Sequence, residues 1–224
     1  MLRISSVLLI ISLFMAACGN NNKQAKQQQQ ADSSFNQPQT AKENILFFGT
    51  SLTAGYGLED ASQAYPALIQ NKIDSLNLPY HVINGGLSGE TSAGGLSRID
   101  WILKQPVNIF ILELGANDGL RGISVKETTS NLQAIIDKVK AKYPDAKLVM
   151  EGMQMPPNMG DRYTSDFKEL FNDLAKKNHM LFVPFLLDGV GGVPKLNQND
   201  GIHPNKEGAK VLAENVWKVL KPTL

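Results

Sequence analysis

Five short apolar runs recur from residue 44 onward, separated by longer stretches that mix apolar and polar residues. The runs are NILFF (44–48), YHVIN (80–84), NIFILELG (108–115), AKLVMEG (146–152) and MLFVPF (180–185). Short, nearly continuous apolar runs read as strands covered on both faces. The intervening stretches are ASQAYPALIQNKIDSL (61–76), AGGLSRIDWILKQ (93–105), VKETTSNLQAIIDKVKAKY (125–143) and SDFKELFNDLAKKN (165–178), with NKEGAKVLAENVWKVL (205–220) closing the chain. In the third, Leu132, Ile135, Ile136 and Val139 fall on one helical face. Strand–helix alternation predicts an α/β fold, a three-layer sandwich with a mainly parallel five-stranded sheet and helices on both faces. Ligand sites of such sheets lie beyond the carboxyl ends of the strands. Chemistry is therefore expected just after the apolar runs.

The first 42 residues follow a different pattern. Arg3 precedes VLLIISLFMAA, an apolar stretch too short and wrongly flanked for a spanning helix. Residues 1–17 read as an export signal. It ends in MAAC, which resembles the lipobox of bacterial lipoproteins, with Met15 where leucine is commoner. That resemblance implies cleavage before Cys18, lipidation of Cys18, and an exported protein of the bacterial cell envelope held to a membrane. The competing reading is an ordinary secretory signal beside a bystander cysteine. Residues 18–42 then form a Gln/Asn-rich tether, too poor in large apolar side chains to fold. Residues 43–224 are enough for one domain with a real core.

Composition narrows the partners. The 224-residue chain carries a formal charge of +1, and loss of Arg3 with the signal leaves about zero. Nothing in that balance points to nucleic acid. Cys18 is the only cysteine, so neither a disulfide framework nor a cysteine metal site is expected. No metal or other cofactor is called for, and a monomer is expected.

Four polar clusters sit where the alternation predicts chemistry. Gly49-Thr50-Ser51 follows the first run, and a helix is expected just beyond it, its amides favouring negative charge at Ser51. NGGLSGETSAGG (84–95) follows the second, where glycines let backbone amides approach a ligand; a plain glycine-rich turn is the bland reading. GANDGLRG (115–122) follows the third, with Asn117 as a side-chain donor and Asp118-Gly119 as turn chemistry. DGIHPN (200–205) precedes the last helix. Its Asp200 and His203 are three apart, close enough for the carboxylate to reach the imidazole. Pro204 stiffens His203, and Asn205 is a helix cap. His81 and His179 read as structural. Nucleophile, base, orienter and oxyanion donors together are the parts of acyl transfer.

These motifs, in the forms SLTAGYG, NGGLSGETSAGG, ELGANDGLRG and DGIHPN, resemble those of the SGNH or GDSL hydrolases. The similarity is greatest to the periplasmic arylesterase and thioesterase/lysophospholipase type. The resemblance implies a flavodoxin-like sheet and a serine hydrolase acting on carboxylic esters or thioesters, lysophospholipids among them, through an acyl-serine. It implies Ser51 as nucleophile, His203 as base and Asp200 as its orienter. It also implies an oxyanion hole from the Ser51 and Gly89 amides and the Asn117 side chain. One position departs from the pattern: Thr50 stands where the family usually has aspartate. Threonine offers one hydrogen bond there and no charge.

Two other readings stay open. One is a carbohydrate O-deacetylase or acyltransferase of the same superfamily. The other is a non-catalytic binding lipoprotein on this scaffold. EGMQMPPNMGDRY (151–163) is a candidate lining for the acyl pocket because methionine adapts to irregular apolar shapes; core packing is its alternative.

Overall fold

A computed structural model describes residues 42–224. The segments read as signal, lipidated Cys18 and tether lie outside them, Lys42 apart. The five apolar runs form strands β1 (Glu43–Gly49), β2 (Tyr80–Asn84), β3 (Ile109–Glu113), β4 (Lys147–Glu151) and β5 (Leu181–Val183). They pair in the order β2-β1-β3-β4-β5, and every pairing is parallel. The chain leaves β1 toward one edge and returns past it to β3, so the switch point of the sheet lies between β1 and β3.

Burial explains which runs are central. Ile45–Phe48 of β1 and all five residues of β3 are buried, as a strand covered on both faces requires. Edge strand β2 exposes His81 and Asn84. β5 is three residues long, shorter than its apolar run, because Pro184 follows Val183 and has no N–H to give a ladder.

Among the described residues, seven α-helices accompany the strands: α1 (Ser51–Ala54), α2 (Tyr65–Ser75), α3 (Ser92–Ile102), α4 (Ala116–Leu120), α5 (Val125–Lys142), α6 (Asp161–Asn178) and α7 (Lys206–Leu220). α2 packs on α7, while α3 packs on α5 and α5 on α6. Right-handed crossovers put these two groups on opposite faces of the sheet, completing three layers. The helix starts follow side-chain caps: Thr91 accepts from Gly94 N–H, Ser124 from Glu127 N–H, and Asn205 from Glu207 and Gly208 N–H. α6 begins four residues earlier than its apolar pattern suggests, directly after Gly160, whose φ is 92°.

Candidate active site

Ser51 is the first residue of α1, so β1 delivers it to the carboxyl edge of the sheet. His203 arrives from the opposite end of the chain. Its Nε2 lies 2.9 Å from Ser51 Oγ, and its Nδ1 lies 2.6 Å from Asp200 Oδ2. The carboxylate accepts the Nδ1–H, which leaves the Nε2 lone pair facing the serine hydroxyl. Asp200 also accepts the backbone N–H of Ile202 at 2.9 Å and of His203 at 3.0 Å, so the orienter and the base form one tight loop. Gln198 holds that loop to the nucleophile side, donating to Tyr56 O at 2.7 Å and Pro204 O at 3.0 Å.

The Asp200 carboxyl is held down at about 2, first by the His203 N–H and then by the imidazole and the Ile202 N–H. A free aspartate titrates near 3.9. The stabilisation from this depressed group is therefore present above about pH 4 and lost as pH falls through about 2. Asp200 stays anionic throughout the range in which a histidine serves as base.

The two donor loops meet beside α1. Leu87 N–H donates to Gly49 O at 2.9 Å, and Asn84 Nδ2 donates to Thr53 O at 2.8 Å, packing the loop after β2 against the nucleophile turn. Gly89 sits at φ 78°, a left-handed conformation that favours glycine. Its carbonyl accepts from Arg121 Nη2 at 2.9 Å. The N–H groups of Ser51 and Gly89 donate to no protein acceptor among the described residues. Asn117 Nδ2 gives one hydrogen to Glu90 O at 3.0 Å and keeps the second. Glu90 is itself clamped by Arg98, with Nε and Nη2 each 2.6 Å from its carboxylate, and Arg98 also donates to Gly85 O.

The structure brings Ser51, His203 and Asp200 into one hydrogen-bonded chain. It also links the Gly89 loop to Asn117 through Glu90. His81 and His179 are exposed and bond to neither Ser51 nor Asp200. Two expectations change, for Asp118 and Thr50, and for Met153 and Met155 of 151–163 the core-packing alternative holds. Asp118, read as turn chemistry, is fully buried and accepts the N–H and hydroxyl of Ser92 and the hydroxyl of Thr128. It ties α4 to α3 and α5 and so fixes Asn117 beside it. Met153 and Met155 are core residues, and Met155 packs against Gly119, whose added Cβ would lie 2.2 Å from its sulfur. Thr50 makes more than one hydrogen bond. Its N–H donates to Glu113 Oε2 at 2.7 Å, and its hydroxyl lies 3.0 and 3.1 Å from the two Glu113 oxygens. Glu113, hidden inside an apolar strand, was not singled out as a site residue. A carboxylate at the end of a wholly buried run is the signal that could have flagged it.

Comparison with known proteins places the family and the fold. Residues 47–211 match the model of the GDSL-like Lipase/Acylhydrolase family. The chain is 41% identical over 187 residues to Esterase TesA of Pseudomonas aeruginosa, covering 83% of this chain and 92% of that one. It is 38% identical over 183 residues to Thioesterase 1/protease 1/lysophospholipase L1 of Escherichia coli, covering 81% and 85%. A crystal structure of TesA superposes with a TM-score of 0.77 at 40% identity, covering 81% of this chain and all of the other.

Proposed function

The chain belongs to the GDSL-like lipase/acylhydrolase family, and from that premise we propose that Ser51, His203 and Asp200 carry its ester-cleaving chemistry. The protein is a carboxylic ester hydrolase, acting on esters or thioesters through an acyl-serine. The observation that carries the residue assignment is the unbroken Ser51–His203–Asp200 chain of hydrogen bonds.

Ser51 Oγ attacks the carbonyl carbon as its proton passes to His203 Nε2. Asp200 stabilises the imidazolium and stays ionised. Negative charge builds on the carbonyl oxygen, and the N–H groups of Ser51 and Gly89 with the second Asn117 hydrogen are the donors assigned to it. Collapse expels the alkoxide or thiolate, which takes the proton from His203. Water, activated by the same histidine, then hydrolyses the acyl-serine.

An apolar acyl or aryl group suits the rim of the site. Of the six exposed large apolar side chains among the described residues, Tyr56, Leu87, Leu120 and Ile202 lie in the four motif loops. The Tyr56 ring sits 4.7 Å from the His203 ring, centroid to centroid. Every proposed catalytic group comes from one chain, so a monomer suffices.

Wild-type protein is expected to hydrolyse both a soluble aryl acetate and a short acyl thioester. Asp200→Asn is expected to lower kcat on either by about 10³–10⁴-fold, less than loss of the base, because His203 remains with its tautomer no longer enforced. Steady-state kinetics on both substrates test this; an Asp200→Asn variant with wild-type kcat would remove Asp200 from the assignment.

The MAAC segment supports an exported lipoprotein of the cell envelope, anchored at Cys18 with residues 19–42 as reach. Cys18→Ser is expected to release soluble protein from cells. Protein that stays with membranes after a carbonate wash would refute the anchor.

A further inference from the structure

Beneath the nucleophile turn lie two carboxylates that the reaction above does not use. Glu113 ends β3 and Glu151 ends β4, and both are fully buried. No lysine, arginine or histidine pairs with either among the described residues. Two hydroxyls join them. Thr53 Oγ1 lies 2.8 Å from Glu113 Oε2, Tyr65 Oη lies 3.0 Å from Thr53 Oγ1, and Glu151 Oε2 lies 2.9 Å from Tyr65 Oη. Gly49 makes room for this packing, since a Cβ there would lie 2.6 Å from Glu113 Oε2.

Each hydroxyl has one proton, so with a single carboxyl proton the three contacts in a row close in only two ways. Either Glu151 holds a proton and the chain donates from Glu151 through Tyr65 and Thr53 to an ionised Glu113, or every bond is reversed. The surroundings choose between them. Glu113 also accepts the Thr50 N–H and hydroxyl, with the Thr53 N–H at 3.4 Å, all of which favour an anion. Among the described residues Glu151 has only Tyr65, and its Oε1 is buried without a partner. An ionised, half-satisfied carboxylate in that position would be far costlier than a neutral one.

We propose that Glu113 is a positioning residue, an anion that pins both sides of the turn carrying Ser51 through Thr50 and Thr53, and that Glu151 is its proton-bearing partner across the Tyr65–Thr53 bridge. Thr50 thus joins the turn to a carboxylate supplied by β3. Strand register brings them together, because Gly49 pairs with Glu113. The same strand end continues into α4 and Asn117, so one short segment sets both the nucleophile turn and an oxyanion donor. The titrations agree. Burial pushes Glu113 up to about 6 against the pull of its Thr50 and Thr53 donors, leaving it ionised at neutral pH. Burial, and then the Glu113 charge, drive Glu151 well above the ordinary carboxylate range.

This inference rests on Ser51 being the nucleophile, yet its central readout does not. Infrared spectra of the wild type at neutral pH should show the C=O stretch of a protonated buried carboxylic acid. Glu151→Gln should abolish that band, and Glu113→Gln should keep it. In kinetics on an aryl acetate, Glu113→Ala should lower kcat by up to about 10²-fold with little change in KM, the signature of a misplaced nucleophile. Below about pH 6 the wild-type kcat should fall more steeply than one ionisation allows, because protonation of Glu113 joins that of the base. Glu113→Gln should restore a single ionisation. A band that survives Glu151→Gln, or vanishes in Glu113→Gln, overturns the proton assignment. Wild-type kcat in Glu113→Ala overturns the positioning role; if that variant does not fold, the slope of the Glu113→Gln acid limb decides. Failure of a fluorophosphonate to modify Ser51 would instead refute the nucleophile and leave the band intact.

Discussion

Alanine at Ser51 or at His203 is expected to lower kcat for an aryl acetate on the order of 10⁵–10⁶-fold, with the double replacement no slower than either single one. As proposed nucleophile and base, the two side chains would act as one unit. His203 Nε2, 2.9 Å from Ser51 Oγ, has no proton to take if the serine is gone. The serine in turn is a poor nucleophile without the base. What survives is the catalysis of the oxyanion donors and of substrate binding alone. The fold should persist, because Ser51 and His203 are only partly buried and neither belongs to the hydrophobic core. Steady-state rates of the three variants, with circular dichroism to check folding, test this. Full activity in His203→Ala would exclude it as the base and turn attention to His81 and His179.

Asn117→Ala is expected to lower kcat by about 10²–10³-fold and to leave KM nearly unchanged. The asymmetry follows from when the bond matters. In the proposed role, the second hydrogen of Asn117 Nδ2 meets a full negative charge only in the transition state and its intermediate. The first, donated to Glu90 O at 3.0 Å, fixes the amide beforehand, so no reorganisation is needed during the reaction. Asp118 braces the same helix from below through Ser92 and Thr128. Measured kcat and KM on an aryl acetate separate the possibilities. A raised KM with unchanged kcat would mean that Asn117 binds substrate and does not stabilise the oxyanion.

The strand–helix alternation made most of the fold legible before any coordinates. All five apolar runs became strands, and the nearly continuous ones, β1 and β3, have no solvated face to offer and are covered on both sides. The limits came where a local feature outranked pattern. Pro184 cut β5 short, and Gly160 started α6 early. Within the site, His203, Asp200 and Ser51 could be picked out because each stands in a motif with polar residues that the core does not need. Glu113 and Glu151 show in the sequence only as carboxylates ending buried runs, and a single charged residue in an apolar strand reveals nothing of its partners. Those partners, Thr50, Thr53 and Tyr65, come from α2 and the turn after β1, and only parallel register gathers them. Asp118 was misread for a related reason. Asp-Gly is turn chemistry by local preference, and its bonds to Ser92 and Thr128 come from other helices.

The central claim is that Ser51 forms the acyl-enzyme, and covalent capture tests it most directly. Purified protein is treated with a fluorophosphonate, its intact mass is recorded, and the modified peptide is sequenced. One adduct per chain is expected, located on Ser51, formed far more slowly in His203→Ala and absent from Ser51→Ala. An adduct on any other residue, or undiminished labelling of Ser51→Ala, would contradict it.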